Sequence, residues 1–262
     1  MHTMSSIFFL VFSLVINGCA QPATTEPIRN HIEETNIETQ LSPALQTATI
    51  TYSKEELLGK FEPSKHASFV KIEVAHTDKP TIYLRREAYD SFRMMYDAAK
   101  KEGINIRIIS ATRNFDYQKG IWEKKWLREK YIGWSEVDKV RNILKYSSMP
   151  GTSRHHWGTD VDFNSVEPGW FAKGEGKKLY DWLIANGAAY GFAQTYTSKS
   201  HGRTGYEEEK WHWSYMPISR DMLKQYNATI TYSDLTGFSG STSAKAAQSI
   251  ELYVNGIEAG LK

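Results

Sequence analysis

The sequence predicts an α+β fold, and three observations carry the prediction. Helical and strand-like periodicities are mixed along one stretch, the strand-like runs are short, and neither an internal repeat nor a second domain boundary interrupts them. At 262 residues, with 40% hydrophobic and 13% aromatic content, the chain is long enough to close around a sizeable core. The 32 basic and 30 acidic residues leave a net charge of +2, too balanced for a polyanion footprint. No basic stripe interleaved with aromatics is present either, so nucleic acid is excluded as a partner.

The N-terminal region stands apart from the fold. Residues 7–16 (IFFLVFSLVI) form an apolar run of ten, against the roughly 20 residues a membrane span requires, and this is the length of a secretion-signal core. The run ends at Ile16-Asn17-Gly18-Cys19, where the only cysteine of the chain follows a small residue. This pattern resembles the lipobox of bacterial lipoproteins, which implies a signal peptide over residues 1–19 and lipidation of Cys19, giving a lipid anchor to a bacterial membrane. The preceding MHTMSS departs from the usual signal in having no Lys or Arg. Cleavage before Cys19 leaves no other thiol, so any metal site must use His and carboxylate ligands. Residues 20–51 are rich in Thr, Glu, Pro and Gln with scattered apolar residues, and are expected to be a flexible tether placing the domain in the periplasm or outside the cell.

The folded domain is expected over residues 52–262. Ser53 and Glu56 make a capping box ahead of Leu57 and Leu58. A strand is expected at residues 81–84. Ala88, Phe92, Met95, Tyr96 and Ala99 then recur at helical spacing until Gly103, and that stripe belongs to the core. Ile104, Ile106 and Ile108 alternate with polar residues, predicting a strand that delivers the loop SATRNFDYQ to one end of a sheet. A helix is expected over residues 117–130, and a shorter one behind the Ser135 cap. Leu179, Trp182 and Leu183 share a face of a helix over residues 176–186, stopped at Gly187. After a polar loop at residues 197–205, WHWSY reads as a strand with Trp211, Trp213 and Tyr215 on one face and His212 and Ser214 on the other. Residues 242–257 are expected to form a C-terminal helix docked on the domain.

Three segments concentrate titratable residues among aromatics: SATRNFDYQ, SRHHWGTDVDF and YEEEKWHWSY. In the second, Asp160 and Asp162 share one strand face while Val161 and Phe163 point to the core. Gly158 permits a turn that folds an upstream histidine back beside a downstream aspartate. A His, an Asp and a second His from another strand suit zinc, a tetrahedral ion that keeps its fourth position for water when catalytic. Spacing alone leaves this open, because histidines near acidic residues are more often ordinary surface groups and no H-E-x-x-H occurs. Glu209 alone is one of three consecutive glutamates, usually a solvated cluster, and Arg113 has Asp116 within reach as an ion-pair partner. His156 has the wrong parity for a ligand and is assigned a packing or supporting role, while Trp157, Trp211 and Trp213 are expected in walls and core.

Taken together, Ser153-x-His155-x-x-Gly158-x-Asp160-x-Asp162 and Glu209-x-Trp211-His212 resemble the signature of the VanY-type D-alanyl-D-alanine carboxypeptidases. Upstream, Ser110-x-x-Arg113-x-Phe115-x-x-Gln118 resembles that family's arginine segment, and the similarity spans roughly residues 53–227. The family shares its zinc fold with lysostaphin-type peptidases and the hedgehog signalling domain, so the resemblance implies a small antiparallel sheet carrying a zinc site, flanked by helices. It further implies that His155, Asp162 and His212 hold Zn2+, that Glu209 is the general base toward the attacking water, and that Arg113 stabilises the oxyanion. Gln118 and Ser153 match positions at the substrate site. The position usually held by alanine is Asp160 here, a departure in local polarity. The implied activity is removal of the terminal D-alanine from peptidoglycan stem peptides. An L,D-carboxypeptidase, a stem-peptide endopeptidase and a non-catalytic zinc-bearing wall-binding module are the alternatives. The presence of both Glu209 and Arg113 weighs against the last.

Overall fold

The computed structural model describes residues 50–262, and the expected signal, Cys19 and all but the last two residues of the tether lie outside the described residues. Helix α1 (Lys54–Leu58) starts at the predicted capping box: Ser53 Oγ accepts from the Glu56 amide and Glu56 Oε2 from the Ser53 amide, both at 3.1 Å. Strands β1 (Phe69–Lys71) and β2 (Tyr83–Arg85) form a two-stranded antiparallel sheet, the second strand lying slightly later than residues 81–84. Helix α2 (Arg86–Lys101) follows at once and buries Ala88, Phe92, Met95 and Ala99 as its spacing predicts.

Strand β3 (Ile108–Ser110) is shorter than the isoleucine alternation suggests. Ile106 is fully buried like Ile108, but only residues from 108 onward join a ladder. Helix α3 (Phe115–Trp126) begins two residues before the expected start, because the Asn114 side chain caps it by accepting from the Tyr117 amide at 2.9 Å. It also ends four residues before the expected Lys130: Leu127, at 78% exposure, has no core to pack on, and the chain turns into a short 3-10 segment, Glu129–Tyr131. Helix α4 (Glu136–Ile143) is capped by Ser135 as expected.

Strands β4 (Asp160–Phe163), β5 (Phe192–Gln194) and β6 (His212–Tyr215) join β3 in a four-stranded antiparallel sheet of order β3-β4-β6-β5. Helix α5 (Gly174–Asn186) buries Leu179, Trp182 and Leu183. Gly187 does not stop it through a left-handed turn; the chain tightens into a 3-10 segment, Gly187–Tyr190, and reverses at Gly191 (φ 74°). Val161, Phe163, Trp211 and Trp213 pack with the apolar faces of α2 and α5 in one core. A second core gathers α1, α3, α4 and α6 (Met216–Thr229) around Trp157, Trp122 and Tyr226. The sheet residues of opposite parity, Asp160, Asp162, His212 and Ser214, therefore face away from the first core.

The C-terminal segment docks as predicted but is not an α-helix. A 3-10 turn, Ser241–Ser243, is followed by a left-handed residue, Gln248 (φ 52°), and a π-helical stretch, Ser249–Val254. The reason is where its carbonyls go: Thr204 Oγ1 donates to Leu252 O at 3.1 Å and Arg203 Nη1 to Gly256 O at 3.1 Å, bonds that bring another strand of backbone close. Ala244, Ala247, Val254 and Ile257 still reach the core.

Candidate metal centre and its cavity

Backbone geometry decides which side chains converge. Ser153 opens a 3-10 turn, Arg154–Trp157, that Gly158 ends at φ 70°. A Cβ at residue 158 would stand 2.2 Å from the Phe69 ring, so only glycine fits there. The turn returns the chain into β4, whose Asp162 lies opposite His212 of β6. His155, Asp162 and His212 are thereby brought together, each offering one ligand atom, with all of these atoms within 4.8 Å of one another.

Each ring is held so that one nitrogen is left for the shared space. His155 Nδ1 donates to Ala111 O at 2.8 Å, which leaves Nε2 facing Asp162 Oδ1 at 3.5 Å. Both of those atoms are buried without a hydrogen-bond partner among the described residues. His212 is held through the opposite nitrogen: Nε2 donates to Asp160 Oδ2 at 2.9 Å, and Nδ1 faces Asp162 Oδ1 at 3.3 Å and Glu209 Oε2 at 3.6 Å. Burial alone would depress His212, but Asp160 and Asp162 outweigh it and push the ring up to about 9. Burial likewise opposes ionisation of Asp162, yet the two histidines hold its carboxyl well below the ordinary range. The pocket is thus arranged for a positive charge among two nitrogens and a carboxylate. That donor set, with orphaned Nε2 and Oδ1 atoms aimed at one point, fits a divalent ion such as zinc.

Asp160, the departure from the family pattern, has a definite place. Its carboxylate is fully buried and accepts four hydrogen bonds: His212 Nε2 (2.9 Å) and Arg154 Nε (3.0 Å) on Oδ2, Thr159 Oγ1 (2.8 Å) and Ser214 Oγ (2.7 Å) on Oδ1. It orients His212 and is neutralised by Arg154, itself 1% exposed and packed over the Trp157 ring.

Glu209 does not lie on β6. It sits one turn before it, with the His212 amide donating to Glu209 O at 3.3 Å, and this turn brings side chains three residues apart onto one side, which an extended strand would not. Burial, reinforced by Asp162, pushes the Glu209 carboxyl up to about 7 against the pull of His212, Arg113 and Arg203. Arg113 lines the same cavity and makes no ion pair with Asp116; its Nε is buried without a partner. His156 takes the supporting role expected of it. Its Nδ1 donates to Arg113 O at 2.6 Å and its Nε2 accepts from the Gly151 amide at 3.0 Å, and burial drops it to about 3, so it stays neutral.

The cavity, about 370 Å³, is lined by His155, Asp162, His212, Glu209, Arg113 and Ser153, whose Oγ is also unpartnered. Gln118 is not among the lining residues: it is 1% exposed, its Nε2 donates to Ser148 O at 2.8 Å, and its Oε1 is buried without a hydrogen-bond partner among the described residues. Sequence reasoning missed Arg154, Lys125, Tyr196 and Tyr206. Lys125 carried a signal, since it lies seven residues, two helical turns, beyond Gln118. The loop at residues 197–205 is tied down: Arg203 donates to Thr197 O and Gly256 O, the Glu258 amide donates to Thr195 O at 3.0 Å, and Thr197 Oγ1 donates to the Glu258 carboxylate.

Residues 81–218, more than half of the 262-residue chain, match the model of the VanY family, described as D-alanyl-D-alanine carboxypeptidase. Among curated proteins, the chain is 31% identical over 163 residues to "Putative carboxypeptidase YodJ" of Bacillus subtilis (strain 168), covering 61% of this chain and 56% of that protein. It is 28% identical over 124 residues to "D-alanyl-D-alanine carboxypeptidase" of Enterococcus faecalis (strain ATCC 700802 / V583), covering 47% of this chain and 45% of that protein. The chain thus spans about half the length of the curated relatives it matches. Among solved structures, it is similar to VanYB in complex with D-Alanine-D-Alanine, with TM-score 0.47, 22% identity and coverage of 63% of this chain and 87% of that one. It is also similar to the LdcB LD-carboxypeptidase, with TM-score 0.48, 24% identity and coverage of 75% and 78%.

Proposed function

The chain belongs to the VanY family of D-alanyl-D-alanine carboxypeptidases, and from that membership and the geometry of the cavity we propose that it is a zinc-dependent D,D-carboxypeptidase removing the terminal D-alanine from peptidoglycan stem peptides. The observation that carries the reading is the convergence of three donor atoms on one buried point, two of them, His155 Nε2 and Asp162 Oδ1, without any hydrogen-bond partner among the described residues. His155, Asp162 and His212 would hold the ion. A zinc ion bound there supplies Lewis-acid chemistry, polarising a carbonyl and bringing the pKa of water down toward about 7.

The remaining work falls to side chains of the chain itself. Glu209, buried and 3.6 Å from His212, takes the proton of the attacking water on a carboxylate oxygen and returns it to the departing amine nitrogen. Its elevated pKa suits both halves of that exchange. Arg113, whose backbone oxygen accepts from His156 Nδ1, offers guanidinium donors to the oxyanion. Asp160 and the Ala111 carbonyl hold the two rings in their tautomers. Export and lipid anchoring through Cys19 belong to the same proposal, supported by the apolar run and the lone cysteine that follows it.

The test is incubation of the zinc-loaded full-length chain with muropeptides carrying tri-, tetra- and pentapeptide stems, read by mass. Loss of one alanine from the pentapeptide alone is the expected result. Loss from the tetrapeptide alone moves the activity to the L,D class, cleavage inside the stem makes it an endopeptidase, and no cleavage overturns the enzymatic reading in favour of a binding module.

A further inference from the structure

One stretch of surface has no part in the chemistry above. Residues 124–145, from the end of α3 to the turn after α4, carry seven basic against three acidic residues, a local excess that the balanced charge of the whole chain conceals and that sequence reasoning passed over. Leu127, Ile132 and Trp134 fall within eight residues there, at 78%, 82% and 45% exposure. Trp134 is the one exposed tryptophan among the described residues. Large apolar side chains left this bare and rimmed by charge mark an interaction surface.

The stretch is held from beneath. Tyr131 is buried, its ring T-shaped against Trp134 with centroids 5.3 Å apart and its hydroxyl donating to Asn142 Oδ1 at 2.8 Å. Trp134, Asp138, Arg141, Asn142 and Lys145 line an open hollow beside α4. Lys130 and Arg141 donate to Asn142 Oδ1 (3.3 Å) and Ala246 O (3.1 Å). None of Arg128, Lys130, Arg141 and Lys145 pairs with a carboxylate among the described residues, whereas Lys177 and Lys178 of α5 each do. Two of the three acids are turned to hydroxyls instead, Asp138 to Ser135 and Glu136 to Thr242 and Ser243.

Bare aliphatic side chains are stabilised by hydrocarbon, a tryptophan ring by the boundary between hydrocarbon and water, and unpaired ammonium and guanidinium groups by anions. An anionic lipid surface supplies all three. A glycan would engage Trp134 and the polar groups but leave Leu127 and Ile132 in water. We propose that residues 127–145 dock the domain on an anionic phospholipid surface, with Leu127, Ile132 and Trp134 entering the headgroup layer and Arg128, Lys130, Arg141 and Lys145 pairing with the headgroups. Such docking needs neither the metal nor a lipid on Cys19. Lys145 continues into Tyr146, which lines the metal cavity, so a docked domain keeps that cavity beside the membrane.

The test uses the full-length chain, whose first 49 residues contain no tryptophan, so quenching of tryptophan emission by brominated lipid reports the domain alone. The chain is reconstituted on vesicles of equal parts phosphatidylglycerol and acyl-brominated phosphatidylcholine, and on vesicles in which plain phosphatidylcholine replaces the phosphatidylglycerol. Circular dichroism confirms that each variant is folded. The expected result is quenching on the anionic vesicles that is at least about threefold weaker on the neutral ones and in Lys130→Gln/Lys145→Gln, since each cation near an anionic surface strengthens binding about fivefold. It should be lost in Trp134→Phe and in Leu127→Ser/Ile132→Ser, and fade from about 0.1 M to about 1 M salt as the screening length falls from about 10 Å to about 3 Å. Quenching that is equal on both vesicles, or that survives in Trp134→Phe, overturns the assignment. An absence of quenching overturns it too, and with cosedimentation would leave the N-terminal segment as the anchor. Retention on purified glycan strands that Trp134→Phe abolishes, with vesicles leaving the emission unchanged, would likewise overturn it and give the face to sugar.

Discussion

Replacing Asp160 with alanine, the residue the family usually has there, should damage this protein. The carboxylate removed is fully buried and is the acceptor of four hydrogen bonds, two of them from Arg154 and His212. Arg154, at 1% exposure, would be left with Ser214 Oγ, 2.8 Å from Nη2, as its one side-chain hydrogen-bond partner among the described residues. Breaking a buried pair from one side costs about 3–5 kcal/mol, a large share of a total stability of roughly 5–15 kcal/mol. His212 would also lose the acceptor that keeps Nδ1 turned to the shared point, a loss worth about 10- to 100-fold in metal affinity. Urea unfolding of the zinc-free protein measures the first effect and competition with a chelator of known affinity the second. The double variant Asp160→Ala/Arg154→Met removes both charges and should recover at least about 2 kcal/mol relative to the sum of the singles. A single variant that holds zinc within threefold of the parent and unfolds within about 1 kcal/mol of it would refute the assignment of Asp160 as the anchor of His212.

Other perturbations follow from the same contacts. Gly158→Ala puts a Cβ 2.2 Å from the Phe69 ring at φ 70°, so left-handed strain and overpacking together should cost about 2–5 kcal/mol and lower the Tm by at least about 5 °C. His156 is held neutral at about 3 against an ordinary 6.5, so its contribution is present above pH 6.5 and fades as the pH falls toward 3. The stability advantage of the zinc-free parent over His156→Asn should shrink by up to about 1.4 kcal/mol per pH unit between pH 6 and 4, and an advantage independent of pH would mean the ring is charged. His156→Ala should bind zinc as the parent does, a point that metal analysis settles. Arg203→Met removes the donors to Thr197 O, Thr204 O and Gly256 O, and proteolytic nicking within residues 197–205 should accelerate, with unchanged rates arguing that the loop is held by other means.

What could be read in advance was whatever had a period or a cap. Val161 and Phe163 against Asp160 and Asp162, and Trp211, Trp213 and Tyr215 against His212 and Ser214, mark both faces of the central strands by alternation alone. Ser53, Ser135 and Gly158 marked ends and turns through local hydrogen bonds and sterics, which travel with the sequence. The tail misled because Ala244, Ala247 and Val254 have helix-like spacing, while the carbonyls that deform it are claimed by Arg203 and Thr204 from fifty residues away. At Gln118 a matching motif position says which helix face a residue occupies, not which backbone its side chain meets, here Ser148 O. Asp160 was ambiguous because its four partners come from positions 154, 159, 212 and 214, and only the β4–β6 register brings them together.

The metal centre is most directly tested by zinc stoichiometry. Elemental analysis after dialysis should find about one zinc per parent chain, and close to none in His155→Ala or Asp162→Ala that remain folded by circular dichroism. Full zinc occupancy in His155→Ala would contradict the ligand set, and with it the role given to every residue around it.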